Sequence, residues 1–388
     1  MKIALLTHSV RPRGGVVHTL ELAEALVRRG HAVSVIASAE PGERLFRQVR
    51  FPVETIALPT LQGDLVAQVA QRIDALVEAL PPLIARGGFD LLHAQDSLSG
   101  NALALLRDAG YRLPPWLRTV HHLDDFSQPL LNRWQERAWR AADGVACVSD
   151  GWCRHFREQL GQPAERMFNG VDLTRYRPLP EPGDAAAVEA LGLPAVTGPV
   201  VLLVGGVEAR KNTVRLLQAF ARRRADDPAW MEARLVVAGG ASMLDHGAAR
   251  RDWQAALAET GLAEGPQQAA LRTGPLPDAL LPALMRRADV LAMPSLVEGF
   301  GLAALEALAC GTPVLVSRRP PFTETLEGAP SVAWCDPASV PSMAAGLGDA
   351  LAQPRLSAPP PVCVAHSWGR SAALHEAWYQ RVLEPITA

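Results

Sequence analysis

The chain has 388 residues, 48% of them hydrophobic, and a formal net charge of −2, enough for two globular domains with real cores and without the basic excess a nucleic-acid binder carries. Five cysteines, at 147, 153, 310, 335 and 363, lack CxxC spacing, which points to a reducing compartment and excludes a disulfide framework or a cysteine zinc site. No uncharged apolar stretch reaches the roughly 18–20 residues of a membrane span, and MKIALLTHSVRPRGG reads as a first strand and not a signal peptide, so a cytoplasmic location is expected.

In chain order, Lys2–Thr7 reads as a strand, Val16–Arg29 as a helix and Val33–Ala37 as the next strand. Further strands are expected at Asp90–Ala94, Arg118–His121 and Gly144–Val148, with helices near 97–108, 130–141 and 152–160. This βαβ rhythm implies a parallel, doubly wound sheet. It lapses at NGVDLTRYRPLPEPGD, with prolines at 178, 180 and 182, and restarts at strand Val200–Val204. Helix Val214–Arg223, strand Leu235–Ala238, helices near 248–260 and 278–287, strand Val290–Met293, helix Gly301–Cys310 and strand Val314–Ser317 follow. After a proline-rich gap at 354–361, Ser367–Leu383 reads as a closing amphipathic helix. The expected architecture is α/β, with two doubly wound Rossmann-like domains facing one cleft: 1–172, a linker 173–197, 198–365, and a terminal segment 366–388. Ligands in such sheets bind outside the carboxyl ends of the strands.

Only two of the 38 basic residues are lysines, Lys2 and Lys211. A lysine that survives such a bias toward arginine marks a place where a compact ammonium matters. Lys211 closes VGGVEARKN, so it and Arg210 lie past a strand of the second domain, where a phosphate contact and a solvated basic loop are the two readings. RPRGG (11–15) follows the first strand. Its glycines, Gly14 and Gly15, let backbone approach a ligand, and the helix N-terminus beyond favours an anion. A third glycine is missing and Ala37-Ser38-Ala39 stands where a ribose-binding acid would close strand two, so a diphosphate fits better than a dinucleotide.

EGFGLAALE (298–306) is the sharpest stretch. At 100° per residue, Glu306 sits about 40° from Leu302, beside the apolar face of its own helix, where an unpaired carboxylate is costly. Gly299 and Gly301 loosen the backbone before that helix, leaving N–H groups to face an anion. Glu306 leans toward the helix N-terminus, so it and Glu298 can converge on one ligand rich in hydroxyls, or Glu306 can pair with a buried arginine.

With these pieces together, the chain resembles a retaining nucleotide-sugar glycosyltransferase of family four, with the two-domain GT-B fold. The resemblance runs through RGHAVSVIA, FDLLHAQD, TVHH, NGVD, Lys211, the E-x7-E pair with ACGTPVLVS, and the closing HSWGRSAALHEAWYQRVL. It implies that Glu306 accepts hydrogen bonds from the donor ribose and that Glu298 binds hydroxyls of the transferred sugar, beside the N–H groups of Phe300, Gly301 and Leu302. Lys211 would neutralise the diphosphate, with Gly14 and Gly15 approaching it, and His121 would lie near sugar and acceptor, with His122 as a competing neighbour. The terminal helix would cross back to the first domain, and the domains would close around the donor.

The resemblance further implies a hexosyl transfer from a UDP- or GDP-linked sugar to an acceptor hydroxyl, without metal, cofactor or dedicated protein base. Two places differ from the family pattern: Gly206 stands where a second diphosphate cation is common, making Arg210 the candidate replacement, and Gln95 stands for the second histidine of an H-x-H pattern. The competing readings are an epimerase or inverting enzyme on the same fold, and a nucleotide-sugar binding protein without transfer. Trp116, Trp134, Trp139 and Trp152 are read as core by default, with an acceptor platform or a weak membrane-surface contact as alternatives.

Overall fold

The computed structural model describes residues 1–193, 198–240 and 247–384. It divides into two compact units, Met1–Gly170 with Trp368–Ala388, and Val171–Ser367.

In the first unit the chain runs β1 (Lys2–Thr7), α1 (Gly14–Arg28), β2 (Ala32–Ala39), β3 (Val53–Ala57), α2 (Leu65–Gly87), β4 (Leu91–Ala94) and α3 (Ser97–Asp108). β5 (Trp116–Val120), α4 (Pro129–Arg140), β6 (Gly144–Cys147), α5 (Asp150–Gln159) and β7 (Glu165–Arg166) follow. The seven strands form one parallel sheet, order β3-β2-β1-β4-β5-β6-β7. Apolar runs such as Ile3–Leu6 are buried because helices cover both faces of a parallel sheet.

The second unit begins with residues read from sequence as a linker. Within 173–193 the chain instead forms α6 (Asp184–Ala190). Asp184 anchors it, accepting from Arg286 Nε at 2.6 Å and Nη2 at 2.8 Å, a pairing of distant residues that no local pattern announces. Residues 194–197, the end of that expected linker, lie outside the described residues. Then come β8 (Val200–Val204), α7 (Thr213–Asp226), β9 (Arg234–Ala238), α8 (Gly247–Thr260), β10 (Ala270–Gly274), α9 (Leu280–Arg287) and β11 (Val290–Met293). α10 (Leu302–Ala309), β12 (Val314–Ser317), α11 (Phe322–Thr325), β13 (Val332–Cys335), α12 (Val340–Leu351) and α13 (Pro361–Ala365) complete the unit. Its parallel sheet has the order β10-β9-β8-β11-β12-β13.

Each sheet reverses its winding beside one strand: β1 lies between β2 and β4, and β8 between β9 and β11. The carboxyl ends of these two strands are the topological switch points where α/β sheets take ligands. RPRGG follows the first of them, and the segment ending in Arg210-Lys211 follows the second.

The chain returns to the first unit as α14 (Trp368–Leu383), whose contacts there include α1. Trp368, Ser371, Ala372, His375, Trp378 and Tyr379 are buried, at the spacing of one helical face. The expected terminal segment's last residues, 385–388, lie outside the described residues. His93 lies beneath this face, bonded through Nδ1 to the Tyr379 hydroxyl at 2.7 Å and through Nε2 to Thr119 Oγ1 at 2.8 Å. His375 is 5.8 Å from the His93 ring and 6.1 Å from the His18 ring, centroid to centroid. His18 Nδ1 meets Asn169 Oδ1 at 3.0 Å.

Burial holds all three histidines neutral: His18 and His93 fall well below the usual imidazole range, and His375 falls to about 4. Among the tryptophans, Trp116 and Trp139 are core, while Trp134 and Trp152 are half-buried. Among the described residues, no helix is long and apolar enough to cross a membrane.

Two outcomes follow from this packing. Because the folded imidazoles titrate below the unfolded value of about 6.5, their contribution is complete above that pH and is lost as pH falls through it toward 4. His375 alone contributes on the order of 3 kcal/mol, so the melting temperature should drop steeply between pH 6.5 and 4.5, and a flat profile would contradict the neutral stack. In the second unit Gly301 has φ +85°, and a Cβ there would lie 2.4 Å from Phe322 Cε1. Gly301→Ala should cost about 2 kcal/mol in denaturant titration, and an unchanged midpoint would mean the backbone is not so constrained.

Candidate functional site

In the second unit, the chain leaves β8 through Gly205, whose φ of +137° lets it pass beneath Lys211: a Cβ at Gly205 would sit 3.4 Å from Lys211 Cε. α7 then begins after Asn212, which adopts the left-handed conformation at φ 61°. Its buried side-chain amide donates to the carbonyls of Pro294 at 3.0 Å and Pro337 at 2.7 Å. Leu296 N–H donates to the Arg210 carbonyl at 2.9 Å, and Ser317 Oγ donates to the Ser295 carbonyl at 2.9 Å. These bonds hold the loops after β8, β11 and β13 and the end of β12 together at the carboxyl edge of the sheet.

Glu298 is the centre of that edge. Lys211 Nζ lies 2.8 Å from Glu298 Oε2, and Ser295 Oγ donates to the same oxygen at 3.2 Å. The other oxygen lies 3.4 Å from Arg210 Nη1 and accepts from Gly299 N–H at 3.3 Å. Arg210 also pairs with Glu208 at 3.4 Å and donates to the Val297 carbonyl at 3.2 Å. Arg210 and Lys211, neighbours in sequence, therefore face one carboxylate. The resemblance assigned Glu298 and Lys211 to different parts of a donor; the structure joins them as an ion pair. A ligand phosphate arriving here would compete with a carboxylate for an ammonium already in place.

α10 starts at Leu302, one residue later than the sequence reading, because Gly301 turns left-handed and becomes its cap. Ala303–Ala309 are buried, and Glu306 is only 6% exposed. Near it is the phenol of Tyr176, itself 3% exposed, which burial and the Glu306 charge raise well above the usual phenol range. The Glu306 carboxylate thus has a buried phenol in its surroundings, where the resemblance gave it a ligand and the alternative an arginine. The arginine stands one step away: Arg175 covers the Tyr176 ring at 5.2 Å and pairs with Asp278 at 2.8 Å. Glu298 lies against Lys211 and Arg210 and Glu306 near Tyr176, so the two carboxylates have different surroundings. Phe300 packs near His366, its ring centroid 5.7 Å away, and is buried.

The first unit holds its own set. Gly14 and Gly15 form the first turn of α1, two residues before the expected helix start, with Arg13 as cap. A Cβ on Gly14 would meet nothing within 4 Å, and one on Gly15 would lie 3.6 Å from His121 Cδ2. The His121 ring stands edge-on to His18 at 4.7 Å, and its Nε2 is buried without a protein partner. Burial, then Arg118 and the histidines around it, holds His121 well below the usual imidazole range. His122 instead faces Asp124 at 3.5 Å.

Tyr176, Asn212, Ser295 and Glu208 were not singled out from sequence. Asn212 alone carried a signal, since asparagine is as scarce here as lysine is pointed.

Comparison with known proteins agrees with this architecture. The family model described as Glycosyltransferase Family 4 matches residues 12–175, and that of Glycosyl transferases group 1 matches residues 192–359. A D-inositol 3-phosphate glycosyltransferase from Nocardia farcinica is 32% identical over 331 residues, covering 78% of this chain and 69% of that protein. Sucrose-phosphate synthase from Thermosynechococcus elongatus superposes with a TM-score of 0.79 at 23% identity, covering 98% of both chains. Anabaena HepE, solved in complex with UDP-glucose, superposes with a TM-score of 0.74 at 20% identity, covering 98% of this chain and all of that one. With two parallel Rossmann-like sheets, matched family models over both halves and relatives above 30% identity, the chain belongs to glycosyltransferase family four and has the GT-B fold.

Proposed function

We propose that this glycosyltransferase moves a hexose from a nucleoside diphosphate sugar to a hydroxyl of a phosphorylated polyol or sugar, with retained anomeric configuration and without a metal. The observation that carries the reading is the convergence of Lys211 and Arg210 on Glu298 at the carboxyl end of β8. A donor's pyrophosphate and its sugar are joined at one oxygen, so a cation pair and a hydroxyl acceptor placed together suit that junction. As the bond breaks, charge grows on the leaving diphosphate, and fixed cations with the N–H groups opening α10 stabilise it without reorganising. Gly299 and Gly301 keep that backbone within reach. The leaving phosphate takes the acceptor proton, so no separate protein base is called for.

Support for the donor class comes from the UDP-glucose bound by HepE, and for a phosphorylated acceptor from the name of the Nocardia relative. We assign acceptor binding to the first unit, where Gly14 and Gly15 leave space beside the neutral His121. A second reading, binding without transfer, is favoured by Arg210, which already has two carboxylate neighbours.

Incubation with UDP-, GDP- and ADP-sugars, with and without inositol and hexose phosphates, separates the readings. The proposal expects thermal stabilisation by one donor, followed by an α-linked product from an α-linked donor. A β-linked product would make the enzyme inverting, and stabilisation without any product would favour the binding protein. Lys211→Ala removes a charge-assisted contact of about 1.5–3 kcal/mol and should lower kcat about 10- to 100-fold, with a smaller change in donor KM. Lys211→Arg should remain impaired, because a planar guanidinium cannot occupy the seat above Gly205. Full activity in the arginine variant would show that only charge matters there.

A further inference from the structure

We propose that the acceptor has two rings, and that a pocket at the carboxyl ends of β2 and β3 holds the ring that is not glycosylated. That ring is a neutral sugar or polyol. The inference rests on the assignment of acceptor binding to the first unit. It adds the acceptor's size and the residues that meet its far end.

The pocket measures about 380 Å³, within the roughly 300–1,000 Å³ of small-molecule sites. Leu58 N–H donates to the Ala39 carbonyl at 2.8 Å, so the chain leaves β2 and β3 side by side. Beyond that bond, Pro41, Pro59 and Leu61 line the opening as apolar walls, the prolines with their backbone torsion fixed. α2 supplies the remaining wall. Its cap Asp64 accepts from Ala67 N–H at 2.9 Å, and Gln68 and Arg72, one helical turn apart, both line the pocket.

The polar groups in this lining have distinct roles. Arg72 is 6% exposed, and its guanidinium donates to Glu40 Oε1 at 2.7 Å and to the Gln68 carbonyl at 3.4 Å. Glu40 N–H donates to Glu43 Oε2 at 3.0 Å, which fixes the backbone that carries the carboxylate. The Glu40 side chain nevertheless keeps 36% of its surface exposed, against 7% for Arg72. The guanidinium is therefore the support, and the carboxylate is the group a guest reaches. Charge is matched, since Glu40 pairs with Arg72 and Glu43 with Arg11 beside them. A phosphate gains no net attraction from such a lining and meets an exposed carboxylate in it. Hydroxyls find acceptor oxygens on Glu40 and both donors and acceptors on Thr60 and Gln68, while the apolar walls suit the C–H face of a ring.

The position sets the length of the acceptor. Neighbouring strands lie about 4.8 Å apart, and the order β3-β2-β1 puts the pocket one to two strands from the end of β1. That end is the switch point followed by Gly14 and Gly15, where the acceptor is assigned. The gap of about 5–10 Å is the reach of a neighbouring ring.

The experiment uses the nucleoside diphosphate sugar that stabilises the enzyme most and four acceptor pairs, each tried free and as the monophosphate. The pairs are glucose and maltose, galactose and lactose, mannose and mannobiose, inositol and galactinol. At least one two-ring acceptor should show a KM ten- to hundredfold below that of its one-ring partner. Thr60→Trp fills the pocket from an exposed loop position that the fold does not depend on. It should abolish the two-ring advantage while moving the one-ring KM less than threefold. Glu40→Gln keeps the shape and weakens the acceptor oxygens, and it should raise the two-ring KM three- to tenfold. Equal KM values within every pair, or an advantage that survives Thr60→Trp, would overturn the inference and leave the proposed transfer in place. Inorganic phosphate that competes with the two-ring acceptor in wild type but not in Thr60→Trp would make the pocket an anion site and overturn it as well. If no acceptor of either size yields product, the transferase reading itself falls, and the inference with it.

Discussion

The ion pair between Lys211 and Glu298, 2.8 Å long, is the constraint on which the second unit's site depends. It joins two residues 87 apart in sequence, one in the loop leaving β8 and one in the loop leaving β11, strands adjacent in the sheet. Both partners are largely shielded from water, at 14% and 12% exposed. An unpaired charge in that setting is expensive, so each requires the other until a ligand offers an alternative. Under the proposed function, the pair would hold the ammonium where a phosphate claims it and the carboxylate where a hydroxyl does.

The surrounding bonds are arranged to keep this pair from drifting. Asn212 spans from its left-handed turn to the carbonyls of Pro294 and Pro337, and Ser317 reaches Ser295. These bonds tie the loops after β8, β11 and β13 and the last residue of β12 to one another at the carboxyl edge of the second sheet. The general advantage of a doubly wound sheet is here made specific: strand ends hold the loop termini, and a few buried polar side chains set their spacing. Glu306 on α10 is likewise buried, with the Tyr176 phenol, covered by Arg175, nearby.

Much of this was legible in the amino-acid order. The apolar runs at Lys2–Thr7, Val200–Val204 and Val290–Met293 are strands as expected, because buried parallel strands announce themselves as continuous hydrophobic segments. The composition argument singled out Lys211, and the structure places it beside Glu298. β3 and α2 were not foreseen. β3, with Glu54 and Thr55 exposed, lies at the sheet edge, and α2 carries Pro81 and Pro82 inside it, which mask a helical pattern. Tyr176 was invisible for another reason. Glu306, whose charge it feels, lies 130 positions on, and only the fold brings this residue of the expected linker near it. All four asparagines make side-chain hydrogen bonds, as Asn101 does to Ser97 and Asn132 to Phe126, so scarcity was a broader signal than lysine alone suggested.

A crystal structure with the stabilising nucleoside diphosphate sugar bound tests the central claim most directly. The account predicts that Lys211 Nζ lies about 3 Å from a diphosphate oxygen, that Glu298 faces a sugar hydroxyl, and that Glu306 accepts from the ribose. A donor lodged elsewhere, with the Lys211–Glu298 pair intact and Glu306 touching only protein, would contradict it.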